Sequence, residues 1–351
     1  MKTAVLPSLR IFTFQPIIFR KARKPMLSHS RRSLMRLVAV AAFGSLVLST
    51  TTASAEIKKL DLIAPANPGG GWDQTARAIQ TVLQQAGLAS GVQVQNIAGA
   101  GGTVGLAQFV TSKKRRGDAI LVAGQTLQGA IITNKAPVTL DDITPLARLV
   151  GEYEILIVPA ESPIKSAGDL VAKLKADPGS VSWGGGSIAS TDQILAGLIA
   201  KAVGTDAAKV NYIAHSGGGE ALNSILGGHV TVGIGGYGEY QSPLADGKVR
   251  ALAISSEERL PGVDIPTLKE QGVDVAFFNW RGLMAPPGIR DADLKALTDA
   301  VTKMVASPAW KETITKRQWT DLYQPAAEFT TFLKDDRAKM ESILTDLGLV
   351  K

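Results

Sequence analysis

The sequence predicts an α/β protein with a mainly parallel sheet, divided into two lobes that enclose a ligand cleft. Three observations predict this. Short apolar runs alternate with longer amphipathic ones, the pattern of repeated strand–helix units. Removing a 55-residue leader from the 351 residues leaves 296, more than one core comfortably serves. Four glycine-rich clusters fall where a strand hands over to a helix: Asn67-Pro-Gly-Gly-Gly-Trp-Asp73, Gly99-Ala-Gly-Gly-Thr103, Trp183-Gly-Gly-Gly-Ser-Ile-Ala-Ser-Thr191 and His215-Ser-Gly-Gly-Gly-Glu220. In such sheets ligands bind beyond the carboxyl ends of the strands.

The leader is a separate object. Residues 1–55 carry nine Lys and Arg and no Asp or Glu, so the remainder has 29 basic and 31 acidic residues. The formal charge of +7 therefore belongs to the leader and gives no argument for nucleic acid binding. Ser30-Arg-Arg-Ser-Leu-Met-Arg36 is followed by an apolar run over 37–49 and by Ala53-Ser-Ala55 before Glu56, the order of an export signal. The paired arginines resemble a twin-arginine signal, with the general secretory route as the alternative and Met26 as an alternative start. The apolar run is too short to span a bilayer. With no cysteine, the chain offers no disulfide, thiolate nucleophile or thiolate metal site.

Strands are predicted over 59–64, 91–97, 119–123, 155–158, 210–213, 230–234 and 249–254. Helices are predicted over 73–86, 104–112, 166–176, 192–203, 220–226 and 291–306, with a final helix over 329–349 packing back across the first lobe. Asp73 reads as the N-cap of the first helix, held by Arg77 one turn later. Two clusters precede residue 150 and two follow residue 180, one pair per lobe. Lobe 1 is predicted over 56–154 and lobe 2 over 155–278, with 279–351 returning to lobe 1; the chain crosses near 148–154 and 277–282.

Each cluster supplies N–H groups without intrahelical partners at the positive end of a helix dipole, and glycine lets a ligand approach the backbone closely. Four on one cleft would suit a carboxylate or phosphate. Other chemistries read weakly. Gly99 to Gly105 runs one residue longer than the dinucleotide fingerprint, and Asp118 precedes its strand rather than ending it. Gly185-Gly-Ser-Ile-Ala189 approximates a nucleophile elbow, with His215 as the available base, but capping and hydrogen bonding explain Ser187, Ser190 and Thr191 equally well. Ser162-Pro-Ile-Lys165 reads as the approach to a helix. His215 and His229 give no metal-ligand spacing. Lys113-Lys-Arg-Arg116 reads as a solvated helix end. Trp72, Trp183, Tyr237 and Trp280 sit in or near the glycine loops and the inferred crossing, placed either to wall a cleft or, the reading favoured for any single one, to pack under the loops.

Taken together, the motifs resemble the extracytoplasmic solute receptors of tripartite tricarboxylate transporters, the Bug family. The resemblance rests on Ala64-Pro-Ala-Asn-Pro-Gly-Gly-Gly-Trp-Asp-Gln-Thr-Ala-Arg77, Ala98-Gly-Ala-Gly-Gly-Thr-Val-Gly105 and Ile213-Ala-His-Ser-Gly-Gly-Gly-Glu-Ala-Leu222. It continues through Gly247-Lys-Val-Arg-Ala-Leu-Ala253, Pro266-Thr-Leu-Lys-Glu-Gln-Gly272 and Asn279-Trp-Arg-Gly-Leu-Met-Ala-Pro286. It implies a two-lobe fold like the type II periplasmic binding proteins, no enzymatic activity and no cofactor or metal. The implied role is capture of a small organic carboxylate in the periplasm by a monomer and its delivery to membrane permease subunits. Carried over by position, the ligand-binding residues are Gly69, Gly70, Gly71, Trp72, Gly101, Gly102, Thr103, Ser187, Ser190, Thr191, Ser216, Gly217 and Tyr237. Trp72 and Asn279-Trp-Arg281 resemble the tricarboxylate-binding branch more closely than the amino-acid-binding branch, which favours a citrate-like ligand, with Arg281 a candidate partner for an extra carboxylate. Arg115-Arg-Gly-Asp118 departs from the Pro-Asp-Gly-Tyr-like turn of many relatives. A sensor presenting the ligand to a membrane kinase, or a dinucleotide-dependent enzyme, are the alternative functions.

Overall fold

A computed structural model describes residues 57–350; the export signal, its cleavage motif and Met26 lie outside the described residues. The first elements are β1 (Ile57–Ala64), α1 (Gly71–Gln85), β2 (Ala89–Asn96), α2 (Thr103–Ser112), β3 (Ala119–Gly124), α3 (Gln125–Thr133) and β4 (Thr144–Pro159). The middle of the chain forms α4 (Ala167–Ala176), β5 (Ser182–Gly185), α5 (Thr191–Ala202), β6 (Asn211–Ala214), α6 (Gly218–Leu226), β7 (Val232–Gly236), α7 (Tyr237–Ala245) and β8 (Val249–Ile254). The rest forms β9 (Phe278–Ala285), α8 (Asp291–Ala306), α9 (Pro308–Arg317), β10 (Thr320–Pro325) and α10 (Ala326–Asp346).

The strands run in the order β2-β1-β3-β9-β4-β7-β5-β6, with β8 and β10 also pairing with β4. The expectation of a mainly parallel sheet holds only toward the two ends. There β1 pairs in parallel with β2 and β3, and β5 with β6 and β7. Every strand that pairs with β4 is antiparallel to it. The reason is the 16-residue β4, which covers the crossing predicted near 148–154 as one continuous strand. Thr144 to Tyr153 pair with β9, and Glu154 to Ile157 pair with β7. The returning β9 likewise turns the second predicted crossing into sheet.

Apolar burial divides around this seam. One core joins β1, α1, β3 and the first half of β4 with Trp280, Leu283 and Phe329. A second gathers Leu156, Trp183, Ile194, Leu195 and Val232. A smaller one places Ile155, Ile157, Ile225 and Tyr240 on the opposite face of the same strands. The alternation of Ile155 and Ile157 against Leu156 and Val158 follows from side chains pointing to opposite faces along a strand. The final helix is not confined to the first core. Phe329 and Leu333 pack there, whereas Met340, Leu344 and Leu347 pack in the second.

Two of the four aromatics near the glycine loops take the packing alternative and are core residues. Trp183 and Trp280 are fully buried. Trp280 meets Phe329 edge-on at 5.6 Å between ring centroids and donates its indole N–H to Asp336 at 3.0 Å. The basic run at the end of α2 is not simply solvated. Lys113 pairs with the buried Asp61 at 2.8 Å, and Arg116 is clamped onto Asp118. Asp118 is therefore occupied rather than free for a ribose. Among the described residues no helix is long and apolar enough to cross a membrane.

Candidate functional site

All four glycine clusters meet at one cleft of about 430 Å³. That volume suits a ligand of modest size. One wall carries Gly70, Gly71, Trp72 and Gly99 to Gly102. The facing wall carries Gly186, Ser187, Ser190, Thr191 and His215 to Gly218. Glu154 from β4 and Asn279 and Arg281 from β9 line it as well, all three buried.

Local sequence explains why these loops take their shapes. Helix α1 starts at Gly71 with Gly70 at the N-cap, so Asp73 is not the cap but lies within the first turn. Its carboxylate reaches back to accept the Gly69 N–H at 3.0 Å and also accepts from Asn96 and Arg77. Burial pushes the Asp73 carboxyl up, but these hydrogen bonds outweigh it and hold the group below the usual carboxylate range. The carboxylate thus ties down the loop and leaves the N–H groups of the first turn of α1 without intrahelical partners. In the second cluster Gly101 and Gly102 have φ of 65° and 92°, where a side chain is strained. A Cβ on Gly102 would also stand 3.0 Å from the Trp72 ring. On the facing wall Ser190 caps α5, accepting the Gln193 N–H, and its hydroxyl lies 3.1 Å from that of Tyr212.

Ten of the thirteen residues expected at the ligand line this cleft: Gly70, Gly71, Trp72, Gly101, Gly102, Ser187, Ser190, Thr191, Ser216 and Gly217. Three do not. Gly69 supports the loop through Asp73, and the Thr103 hydroxyl donates to the Ala100 carbonyl at 2.9 Å. Tyr237 lines a separate groove with Leu244, Arg250 and Ile265. The two walls also touch directly. Asn67 donates to Glu220 at 2.6 Å, and the Thr126 hydroxyl accepts the Thr191 N–H.

Arg281 is largely committed within the protein, though among the described residues its buried Nε–H has no partner. Its guanidinium pairs with the buried Glu152 and donates to the Gly71 carbonyl and the Thr75 hydroxyl. Burial, helped by the charge of Arg317, brings it down to about 9. Glu152 also accepts the Trp319 indole N–H at 3.0 Å. This cluster fixes the β9 wall and balances the Arg281 charge with Glu152.

Sequence reasoning missed three acids that line the cleft: Glu154, Asp192 and Glu239. Burial raises Glu154 well above the ordinary glutamate range, and the charges of Asp192 and Glu239 add to it. Burial raises Asp192 to about 6, against the pull of the Gly186 N–H at 2.5 Å and the Thr191 hydroxyl. Burial and the charge of Asp192 raise Glu239 to about 8. A signal existed for Glu154. It directly precedes the apolar run Ile155-Leu-Ile-Val158 and shares a strand face with Glu152, two residues earlier.

Among the described residues the Ser187–His215 pair is not assembled as a nucleophile and base. Ser187 and His215 both line the cleft, yet among the described residues no hydrogen bond joins them. The His215 Nδ1 instead lies 2.9 Å from the Gly185 carbonyl. No group of three His, Cys, Asp or Glu among the described residues is set to hold a metal ion.

Known proteins resemble this chain in sequence and in fold. BugT of Bordetella pertussis is 27% identical over 300 residues, covering 83% of this chain and 90% of BugT. The solved structure of the periplasmic binding protein BugD superposes with a TM-score of 0.76 at 20% identity, covering 84% of this chain and 99% of BugD. MatC of Rhodopseudomonas palustris, solved with bound malate, gives 0.72 at 22%, covering 82% and 99%. These likenesses place the fold among two-lobe, type II periplasmic binding proteins. The tripartite tricarboxylate transporter family receptor matches residues 75–349, and the chain belongs to that receptor family.

Proposed function

We propose that the protein is a periplasmic solute receptor that captures one small organic carboxylate in this cleft. It then hands the ligand, chemically unchanged, to the membrane permease subunits of a tripartite tricarboxylate transporter. The observation that carries this reading is the convergence of four glycine loops, with the starts of α1, α2, α5 and α6, on a single cleft. The backbone N–H groups at the starts of α1, α2 and α6 and the Ser187 and Ser216 hydroxyls answer carboxylate lone pairs without a buried cation, whereas at α5 the Thr191 and Gln193 N–H groups already serve Thr126 and Ser190. Malate in MatC shows a carboxylate ligand in a protein of this fold.

A ligand with one or two carboxylates suits the cleft better than the citrate-like tricarboxylate the sequence favours. Arg281 already belongs to Glu152, and three acids line the walls. The test is thermal unfolding of the full chain against mono-, di- and tricarboxylates and NAD. Ligand at about 100 times its Kd adds about 2.7 kcal/mol of stability, a melting shift of several degrees. A shift with one carboxylate class supports the receptor. A shift with NAD alone sinks it. Delivery is tested by uptake of the identified ligand in cells with and without the receptor gene.

A further inference from the structure

The first and fourth glycine clusters each contain one glycine that the cleft does not use. Gly70 and Gly71 line it, and so do Gly217 and Gly218, but Gly69 and Gly219 do not. These two face each other across the mouth. A Cβ on Gly69 would stand 3.8 Å from the Gly219 Cα, and a Cβ on Gly219 would stand 3.2 Å from the Pro68 carbonyl oxygen. Beside them, a Cβ on Gly70 would stand 3.2 Å from the Gly218 nitrogen. The two lips of the cleft therefore meet backbone against backbone, with Asn67 and Glu220 bonded at their edge.

Backbone conformation accounts for Gly69, whose φ of 90° strains any side chain. It does not account for Gly219. That residue is the second of α6, and its φ lies outside the left-handed range. Alanine is the better helix former at such a position. Its own lobe does not exclude a side chain either. The groups that a Cβ there would meet within 4 Å are Pro68 and Gly69, both on the opposite lip. The Cα–Cβ bond of a helical residue tilts toward the helix N-terminus, so a side chain at 219 would be driven into that lip.

We propose that Gly219 is a positioning residue for ligand capture: its missing side chain lets the two lips close to backbone contact. Closure to that distance keeps water from the hydrogen bonds inside and so strengthens them. A side chain at 219 would act as a wedge, holding the mouth ajar while leaving the cleft walls in place. The purpose of the contact rests on the receptor reading above, but the contact itself needs no ligand and is tested without one.

Cross-linking of the lips in the full chain is the test. The Asn67 Cβ lies 3.9 Å from the Cβ position at Gly217, within the range that a disulfide requires. The chain has no cysteine of its own, so Asn67→Cys with Gly217→Cys allows one bridge. Oxidised glutathione closes it when the lips meet, two thiols giving one disulfide as the glutathione is reduced, and mass spectrometry follows the rate. The double variant is expected to cross-link. Adding Gly219→Ala should slow the reaction severalfold and Gly219→Leu further, with no loss of melting temperature. Gly168→Ala is the control, because Gly168 is likewise the second residue of its helix, α4, and its Cβ would meet only Ser166 of the same lobe. It should leave the rate unchanged. A double variant that does not cross-link would overturn the proposal. So would a rate unmoved by both Gly219 variants, or slowed equally by Gly168→Ala. A rate that falls only in step with the melting temperature would assign Gly219 to folding and overturn it too. Each of these leaves the carboxylate receptor standing, which falls instead if no carboxylate shifts the unfolding transition.

Discussion

Replacing Glu239 with Gln tests whether the cleft stores electrostatic cost. In the folded protein this carboxyl is pushed up to about 8 from an ordinary 4.5, chiefly by burial. The folded state therefore keeps the proton that the unfolded chain releases, and stability falls as pH rises between those two values. Each unit corresponds to about 1.4 kcal/mol. The contribution of this group is complete below pH 4.5 and is lost progressively up to about 8. Over the three units from pH 5 to pH 8 the loss is about 4 kcal/mol. Asp192 superposes a second loss between 3.8 and about 6. Glutamine keeps the shape and cannot ionise. Glu239→Gln should thus gain on the wild type by about 1.4 kcal/mol per pH unit across this window. Urea unfolding of both proteins at several pH values measures the difference. Parallel profiles would show that Glu239 ionises freely in the folded state and would refute the reasoning.

Other perturbations separate scaffold from ligand contact. Arg281→Met leaves Glu152 buried and unpaired and should cost about 3–5 kcal/mol in chemical denaturation, whatever ligand is present. Ser216→Ala should weaken carboxylate binding severalfold by calorimetry, whereas Thr103→Ala should not, because its hydroxyl serves the Ala100 carbonyl. Gly102→Ala should destabilise by about 1–2 kcal/mol from its left-handed backbone alone, and should lower affinity as Trp72 is displaced. Asn67→Ala removes the bond to Glu220 across the mouth and should raise the ligand dissociation rate in stopped-flow measurements without changing the melting temperature of the free protein.

What was legible in the sequence was what is local. Glycine clusters bend the backbone wherever they occur, so their junctions were readable residue by residue. Ser166 and Asp169 form a capping box that marks the start of α4 as predicted. Elements lacking such marks were missed. β5 is a four-residue strand ending in two glycines, and α7 follows β7 without a polar cap and contains Pro243. Side-chain facing was equally hidden. Trp183 and Trp280 lie beside glycine loops in sequence yet turn into the cores. The inner wall could not be read at all. Glu154 pairs in register with Gly236, three residues before Glu239, and only that antiparallel pairing brings together acids 85 positions apart. Asp192 joins them from the start of a third element, α5.

β4 also determines how the two halves can move. The strand itself runs continuously from one half into the other, and α10 is anchored in both cores. The halves are leaves of one spring rather than beads on a string. Displacing one against the other must flex a hydrogen-bonded beam, with give concentrated where its pairing slips register, at Arg148/Val150 toward β9 and at Leu156/Ile157 toward β8. Such a beam resists large excursions and recoils when the load is removed. It also makes the protein indivisible, since a cut anywhere in β4 strips the central rail from both halves at once.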